Sequence, residues 1–334
     1  MIVVSNQGIN MKITNTTGVS LSLAVWAASD EYDHDDDPSV ISTTGLLKPL
    51  RAIALGVLVP TVKSALDVTD LLALSMGTAL HNDIENAWKN HYKASMKKLG
   101  YSEKVIDRIV INPETPPTSE QIPIYLERRT KKTLGKYVIS GKFDKVMEGK
   151  LHDYKSTSAW SWIFGGNEED YILQMSIYRW LNPDIVTQDV FNIEYIFTDW
   201  SSAKARQDSS YPQQRVASKT YNLMSLTETE AWLVERLDLI EKYINTPIQN
   251  LPLCTAKELW QKDPAYKYYK DPLKKTRSTK NFDNMADAIA RRAKDGNVGE
   301  IVIVPGEVKR CAYCSVRPAC TQAEDLAASG ALKL

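Results

Sequence analysis

The chain has 334 residues, 43% hydrophobic and 25% charged, enough to bury a core in one large domain or two medium ones. Its 41 Lys and Arg balance 41 Asp and Glu, so global charge does not single out nucleic acid, and such contacts have to come from local patches. The longest apolar run, 52–59 (AIALGVLV), is too short to span a bilayer, and the first residues lack the order of an export signal; the expected setting is a reducing cytosol, where four cysteines read as metal ligands or free thiols rather than disulfides.

In chain order, Met11 to Thr17 reads as a short β-like lead, followed by an apolar stretch from Val19 to Ala28. Asp30 to Asp37 (DEYDHDDD) reads as a solvated acidic loop ending at Pro38. Ile41 to Val59 is expected to be one helix, capped by Ser42, Thr43 or Thr44. Asp70 to Leu99 is the clearest long helix, with Leu71, Leu74, Ile84, Ala87, Trp88 and Met96 near helical spacing and Gly100 as its stop. Asn112 to Pro123 holds four prolines and reads as a connector. Strands are expected at Tyr137 to Val146 and Leu151 to Ser156, then a helix at Asp170 to Leu181, a strand at Val190 to Thr198 and a helix at Thr229 to Ile244. Three regions follow: an N-terminal helical segment (1–69), a core (70–250), and a basic, then cysteine-rich, C-terminal region (251–334).

The most informative segment is 141–157, GKFDKVMEGKLHDYKST. Glu148-Gly149 suits a two-residue hairpin turn. With that turn, Met147 faces Lys150, Val146 faces Leu151 and Asp144 faces Asp153, while Lys155 shares the side of Asp153. Opposed carboxylates repel unless a cation lies between them. A hard divalent ion such as Mg²⁺ or Mn²⁺ suits such oxygen ligands, and it activates water and polarises phosphoryl oxygens. A solvated hairpin with Asp144–Lys142 and Asp153–Lys155 ion pairs fits the same residues. His81 and Glu85 are four apart on the long helix, hence on one face. His81 could add a nitrogen ligand, and Glu85 a direct or supporting oxygen. Gln174 and Tyr178 are likewise four apart on the helix after the hairpin.

The order GTALHNDIENAW (77–88), GKFD (141–144), DYK (153–155) and QMSIY (174–178) resembles the RecB and AddB nuclease domains of the PD-(D/E)XK superfamily. Those carry a helical His, then Gly-x-x-Asp, Asp-x-Lys and Gln-x-x-x-Tyr. The likeness to phage-encoded RecB-like exonucleases extends to VWAASDEYDHDDDPSVISTTGLLKP (25–49). It implies an α/β fold, a restriction-endonuclease-like mixed central sheet flanked by helices, with a cysteine-cluster C-terminal region. It implies metal ligation by His81, Asp144, Asp153 and the Tyr154 carbonyl, with Lys155 as the catalytic lysine. Gln174 and Tyr178 would support the site and contact DNA. The implied activity is DNA exonuclease in phage recombination or replication, with phage recombination proteins as further partners and the bacterial host cytoplasm as its location.

Cys311-x-x-Cys314 and Cys320 form a compact trio, and Cys254 stands apart. Four thiolates can hold zinc or an iron–sulfur cluster, and spacing does not decide between them. The resemblance implies [4Fe–4S]. The relatives draw their fourth cysteine from before the nuclease core, whereas here Cys254 follows it. Residues 262–280 hold seven Lys or Arg against two Asp, interleaved with Tyr266, Tyr268 and Tyr269. They read either as a DNA-contacting surface or as a solvated loop whose tyrosines pack on the core. Trp160, Trp162 and Phe164 fit the core or a strand-separating wedge, and the core is the reading taken. Two other functions fit the chain: a DNA-end binding or processing subunit with little cleavage, and a structural zinc protein.

Overall fold

The structure is a computed structural model that describes residues 13–29, 37, 39–59 and 66–333. β1 (Ile13–Thr14), α1 (Leu21–Ala28), β2 (Val40–Ser42) and α2 (Thr43–Leu46) come first, followed by α3 (Leu50–Leu58). β3 (Leu66–Asp67) leads into α4 (Val68–Asn86), which runs through a wide π turn, Ala87–His91, into α5 (Tyr92–Lys98) and then α6 (Glu103–Ile106). Next come β4 (Ile109–Ile111), β5 (Ile122–Leu134), β6 (Tyr137–Met147) and β7 (Lys150–Thr157). They are followed by α7 (Ala159–Phe164), α8 (Glu168–Leu181), β8 (Val190–Phe197), α9 (Ser202–Gln207), β9 (Val216–Asn222) and α10 (Leu226–Ile244). The rest forms β10 (Ala265–Tyr269), β11 (Lys280–Phe282), α11 (Met285–Lys294), β12 (Glu300–Val304) and α12 (Thr321–Ala328), with short 3₁₀ turns between them. Among the described residues no helix is long and apolar enough to cross a membrane.

The chain divides into two compact units, Met1–Lys48 with Ala65–Asp238, and Pro49–Ser64 with Leu239–Leu334. The division therefore falls differently from the three expected regions. The N-terminal segment is shared between the units, and the second boundary lies inside α10.

The first unit is a mixed α/β assembly around a seven-stranded sheet of order β4-β5-β6-β7-β8-β9, with β2 also paired to β6. β5–β6 and β6–β7 are antiparallel, whereas β4–β5, β7–β8 and β2–β6 are parallel. β8 alternates cleanly, burying Phe191, Ile193, Tyr195 and Phe197. Ile109, Ile124 and Leu126 pack with Trp88, Tyr92 and Met96 from the long helical arm. α4 is anchored at its start by a capping box between Asp67 and Asp70. Thr16 and Thr17 also donate to Asp67, and their hydrogen bonds hold its carboxyl below the usual range.

The 137–157 hairpin forms as the sequence predicts, with Glu148 and Gly149 both at positive φ in the turn. The β5 strand is longer than any expected one and begins inside the 112–123 connector. The helix expected over Ile41 to Val59 is instead β2, α2 and α3. Pro49 sits at the N-cap of α3, where its missing N–H costs nothing, and β-branched Val40 and Ile41 join the sheet against Val138 and Ile139. Of the acidic segment Asp30 to Asp37, residues 30–36 lie outside the described residues, as do residues 11–12 of the β-like lead.

The second unit gathers α3 and the C-terminal pieces around Ala54, Leu55, Leu251, Leu259, Val308 and Val316, together with Cys311 and Cys320. The basic segment 262–280 forms β10 and the exposed loop after it. Tyr268 and Tyr269 are buried there, so they belong to the packing and cannot stack on bases.

Gly141 is needed for close approach rather than for a turn. A Cβ there would fall 2.6 Å from Leu181 Cδ1, 2.8 Å from Thr43 Oγ1 and 2.9 Å from Tyr178 Cδ1. Gly141→Ala should therefore lower stability by about 1–3 kcal/mol through overpacking. Gly77→Ala, inside α4 with only an ordinary 3.9 Å contact, should be neutral or stabilising. Urea unfolding of the two variants checks this, and equal midpoints would refute the close-packing role.

Candidate active site

The site forms where β6 changes partners. Along one edge, β6 pairs with β2 at Val138, Ile139 and Ser140, and with β7 at Lys145, Val146 and Met147. Residues 141–144 lie between the two ladders. The expected register holds as far as Lys145↔His152, but Asp144 and Asp153 do not form the next pair. Along its other edge β7 pairs with β8 throughout, from Leu151 to Thr157. The strands part at the two aspartates, and the gap is filled by side-chain chemistry: Tyr154 N–H donates to Asp144 Oδ2 at 2.8 Å.

β5 contributes a residue that sequence reasoning missed. Glu127 has φ +47, a left-handed backbone that non-glycine residues rarely adopt. The β5–β6 ladder skips it, running from Leu126↔Lys145 to Arg128↔Phe143. Glu127 thus lies level with Asp144 across the skipped pair. Backbone strain of this kind gathers at functional positions. No helical or catalytic pattern surrounds Glu127. Only the β5–β6 register, which places it opposite Asp144, could have found it.

His81 comes in from α4. Its Nδ1 lies 3.4 Å from Asp144 Oδ1 and 3.7 Å from Glu127 Oε1, and its Nε2 lies 3.1 Å from the Tyr154 carbonyl. The backbone of Tyr154 is therefore held on both sides of its Cα, N–H by Asp144 and C=O by His81. His81, Glu127 and Asp144 can place one ligand atom each within 4.8 Å of one another. Burial opposes charge on His81, but the Asp144 and Glu127 carboxylates outweigh it and raise the imidazole to about 10.

Asp153 is buried, at 3% exposure. Burial pushes its carboxyl up to about 6; Lys155 opposes that shift and Asp144 adds to it. Lys155 Nζ lies 2.7 Å from Asp153 Oδ2, and this buried oxygen has that cation beside it and no other hydrogen-bond partner. An oxygen in that condition, next to a three-ligand group, fits a hard divalent ion. Burial works against charge on Lys155, yet Asp153 and Asp144 keep its pKa above the ordinary value. Lys142 Nζ lies 3.0 Å from Glu127 Oε2.

The structure thus brings together His81, Asp144, the Tyr154 carbonyl, Asp153 and Lys155. Glu85 lies outside this group and ion-pairs with Lys89 at 2.6 Å. Gln174 Nε2 donates to Tyr178 Oη at 3.1 Å along α8. The same helix places the Tyr171 ring 5.8 Å from Lys155 Nζ. Trp162 is half-buried and packs edge-on against Tyr195 and Phe197. Trp160 and Phe164 are exposed, which corrects the core reading for those two: they lie i, i+4 on a six-residue helix, on its outer side.

The second unit holds the cysteines. Cys254, Cys311, Cys314 and Cys320 line one cavity with Arg51, Leu55 and Val316, and none of the four is in a disulfide. They reach it from short irregular pieces: the loop before Thr255, the 3₁₀ turn Arg310–Tyr313 and the N-cap of α12. Cys254 N–H donates to Gln322 Oε1 at 2.8 Å, and Gln322 Nε2 returns a bond to the Cys254 carbonyl at 2.9 Å. Arg51 is buried at 3% exposure, and its Nε donates to Cys320 Sγ at 3.2 Å. Burial, then Glu258 and the neighbouring sulfurs, push the Cys254 thiol up to about 12.

No family model matches the sequence, and no curated protein matches it either. Among solved structures, SSO0001 overlaps at TM-score 0.40 and 15% identity, over 66% of this chain and 87% of that one. A phage-related exonuclease from Haemophilus somnus 129PT overlaps at TM-score 0.29 and 14% identity, over 67% of this chain and 91% of that one. Likenesses at this level leave function to be read from the side chains.

Proposed function

We propose that the protein is a metal-dependent DNA nuclease of the PD-(D/E)XK type that hydrolyses phosphodiester bonds at the His81–Asp144–Asp153–Lys155 site, acting as an exonuclease on DNA ends in phage recombination or replication. The observation that carries this reading is the grouping of His81, Glu127 and Asp144 around the Tyr154 peptide, with Asp153 and Lys155 beside it. Asp144, Asp153, the Tyr154 carbonyl and His81 would hold Mg²⁺ or Mn²⁺, and Glu127 would be a further oxygen donor. When bound, such an ion lowers the pKa of a water and polarises a phosphoryl oxygen. Lys155, kept protonated by its two carboxylates, would offset charge building on the phosphate and orient the attacking water. The Gln174–Tyr178 pair would support the site from α8 and contact DNA, and Glu85, with Lys89, would lie behind His81.

The cysteine cavity of the second unit is proposed to hold a [4Fe–4S] cluster in a structural role, bound by Cys254, Cys311, Cys314 and Cys320. One feature of the cavity supports this. Arg51 is a permanent cation, buried, and directed at a sulfur; thiolates bound to a cluster would supply its counter-charge.

Two experiments test these readings. Labelled linear and circular DNAs, incubated with Mg²⁺ or Mn²⁺, should show degradation of the linear form from its ends and none in EDTA. Asp153→Ala and Lys155→Ala should each slow cleavage by about 10³-fold, and Glu127→Gln by about 10-fold or more. Cleavage unchanged in Asp153→Ala would refute the site; wild-type protein that binds ends without cutting would mark a processing subunit. Anaerobically purified protein should be brown, with absorbance near roughly 400 nm. Cys311→Ser should lose iron and lower the melting temperature, while stoichiometric zinc without iron would refute the cluster.

A further inference from the structure

α7 lies between two parts of the site. It begins four residues after Lys155, and it leads through Gly165 and Gly166, both at positive φ, into α8 with Tyr171, Gln174 and Tyr178. Its attachment to the sheet is specific. Thr157 and Ser161 share a hydroxyl hydrogen bond of 2.7 Å, Ala159 N–H donates to Asp199 Oδ1 at 2.7 Å, and Trp162 lies edge-on against Tyr195 and Phe197. That attachment leaves the other side of the helix outward. Trp160 is 57% exposed and Phe164 71% exposed, and their rings stack on each other at 5.1 Å and 12°. Large aromatics held parallel in solvent contribute little to the unit's own packing, although such side chains normally bury much of their surface.

Basic residues stand on the elements that adjoin this helix. Lys219 Nζ lies 4.9 Å over the Trp162 ring. Arg215 is exposed, and its carbonyl accepts from Phe197 N–H at 2.9 Å. Lys204 and Arg206 are exposed on α9, a few residues beyond Asp199. The nearby acids Glu168, Glu169 and Asp170 occupy the first turn of α8, where the helix dipole favours them, and Glu168 is shared with Lys219 and with Gly166 N–H. An apolar protein partner would call for an apolar surround. Flat aromatic faces with Lys and Arg on the adjoining β9 and α9 instead match the bases and phosphates of an unpaired strand. Five residues separate Lys155 from Trp160, so their Cα atoms lie at most about 18 Å apart.

We propose that Trp160 and Phe164 form a stacking platform for unpaired bases of the DNA strand entering the site, so that the preferred substrate end is single-stranded or frayed. The proposal rests on the nuclease reading for the identity of its ligand, and it names the substrate class of that site. The platform would receive a base while the cations on α9 and β9 track the phosphates.

Binding can be read apart from cleavage. Fluorescein-labelled dT20 and a blunt 20-base-pair duplex are titrated with full-length protein in EDTA, and affinity is followed by anisotropy. The Trp160→Ala/Phe164→Ala double variant should bind dT20 about 10-fold or more weakly and the duplex within about 2-fold of wild type. Trp160→Phe should retain most of the strand affinity. An unchanged melting curve shows that the double variant is folded, as expected for exposed side chains. Equal loss for strand and duplex, no loss for either, or a wild type that does not bind dT20 would each overturn the platform. Loss of self-association in sedimentation, with strand affinity intact, would overturn it too and assign the pair to a subunit contact. If the strand-specific loss appears but wild-type protein cuts no DNA with any metal, the platform stands and the nuclease reading falls.

Discussion

Three carboxylates crowd the backbone of one residue, Tyr154, where two strands part, and the rest of the first unit is arranged so that this can persist. Asp144 accepts from Tyr154 N–H, Glu127 stands level with Asp144 across β5, and Asp153 is buried one residue before Tyr154. Like charges at such range are tolerated only when cations stand among them. Lys142 and Lys155 fill that role here, and His81 does so when protonated. Only two of these three cations are permanent. His81 is the one that can shed its proton and become a ligand, so an arriving divalent ion would exchange for that proton.

The geometry follows from a few backbone decisions. β2 and β7 both claim the same edge of β6, and the residues between their ladders are free to face α8 and the fork. Gly141 admits α8 closely at that point, and the left-handed backbone of Glu127 interrupts the opposite ladder. The site is thus placed by departures from regular sheet, which a stability argument alone would not favour. The second unit behaves differently. Its cysteines sit on turns and caps rather than on strands, and buried Arg51 ties α3 to the α12 cap.

Much of the site was legible in the sequence, because its residues fall in short local patterns. His81 lies on a helix with strong periodicity, and the Glu148-Gly149 turn fixed the register that put Asp144 and Asp153 at the same level. The parting of the strands at that level was not legible, since it depends on β2, a segment distant in sequence that reads as helical. Glu127 was hidden for a related reason. β5 is laden with Arg and Lys and begins among prolines, so it lacks the alternation of an isolated strand, and only pairing with β6 defines it. Tyr268 and Tyr269 show the converse limit. Composition offered them equally to DNA or to the core, and burial in β10 decided for the core. Trp160 and Phe164 went the other way, because a six-residue helix has two sides and periodicity does not say which one faces the sheet.

The central claim is that one cation belongs among His81, Asp144, Asp153 and the Tyr154 carbonyl. Anomalous diffraction from crystals grown with Mn²⁺ locates that ion directly. A single strong peak within bonding distance of those four groups, lost in an Asp144→Asn crystal, is the expected result. A site that stays occupied by the lysines and the imidazolium alone, with manganese elsewhere or nowhere in the first unit, would contradict the account.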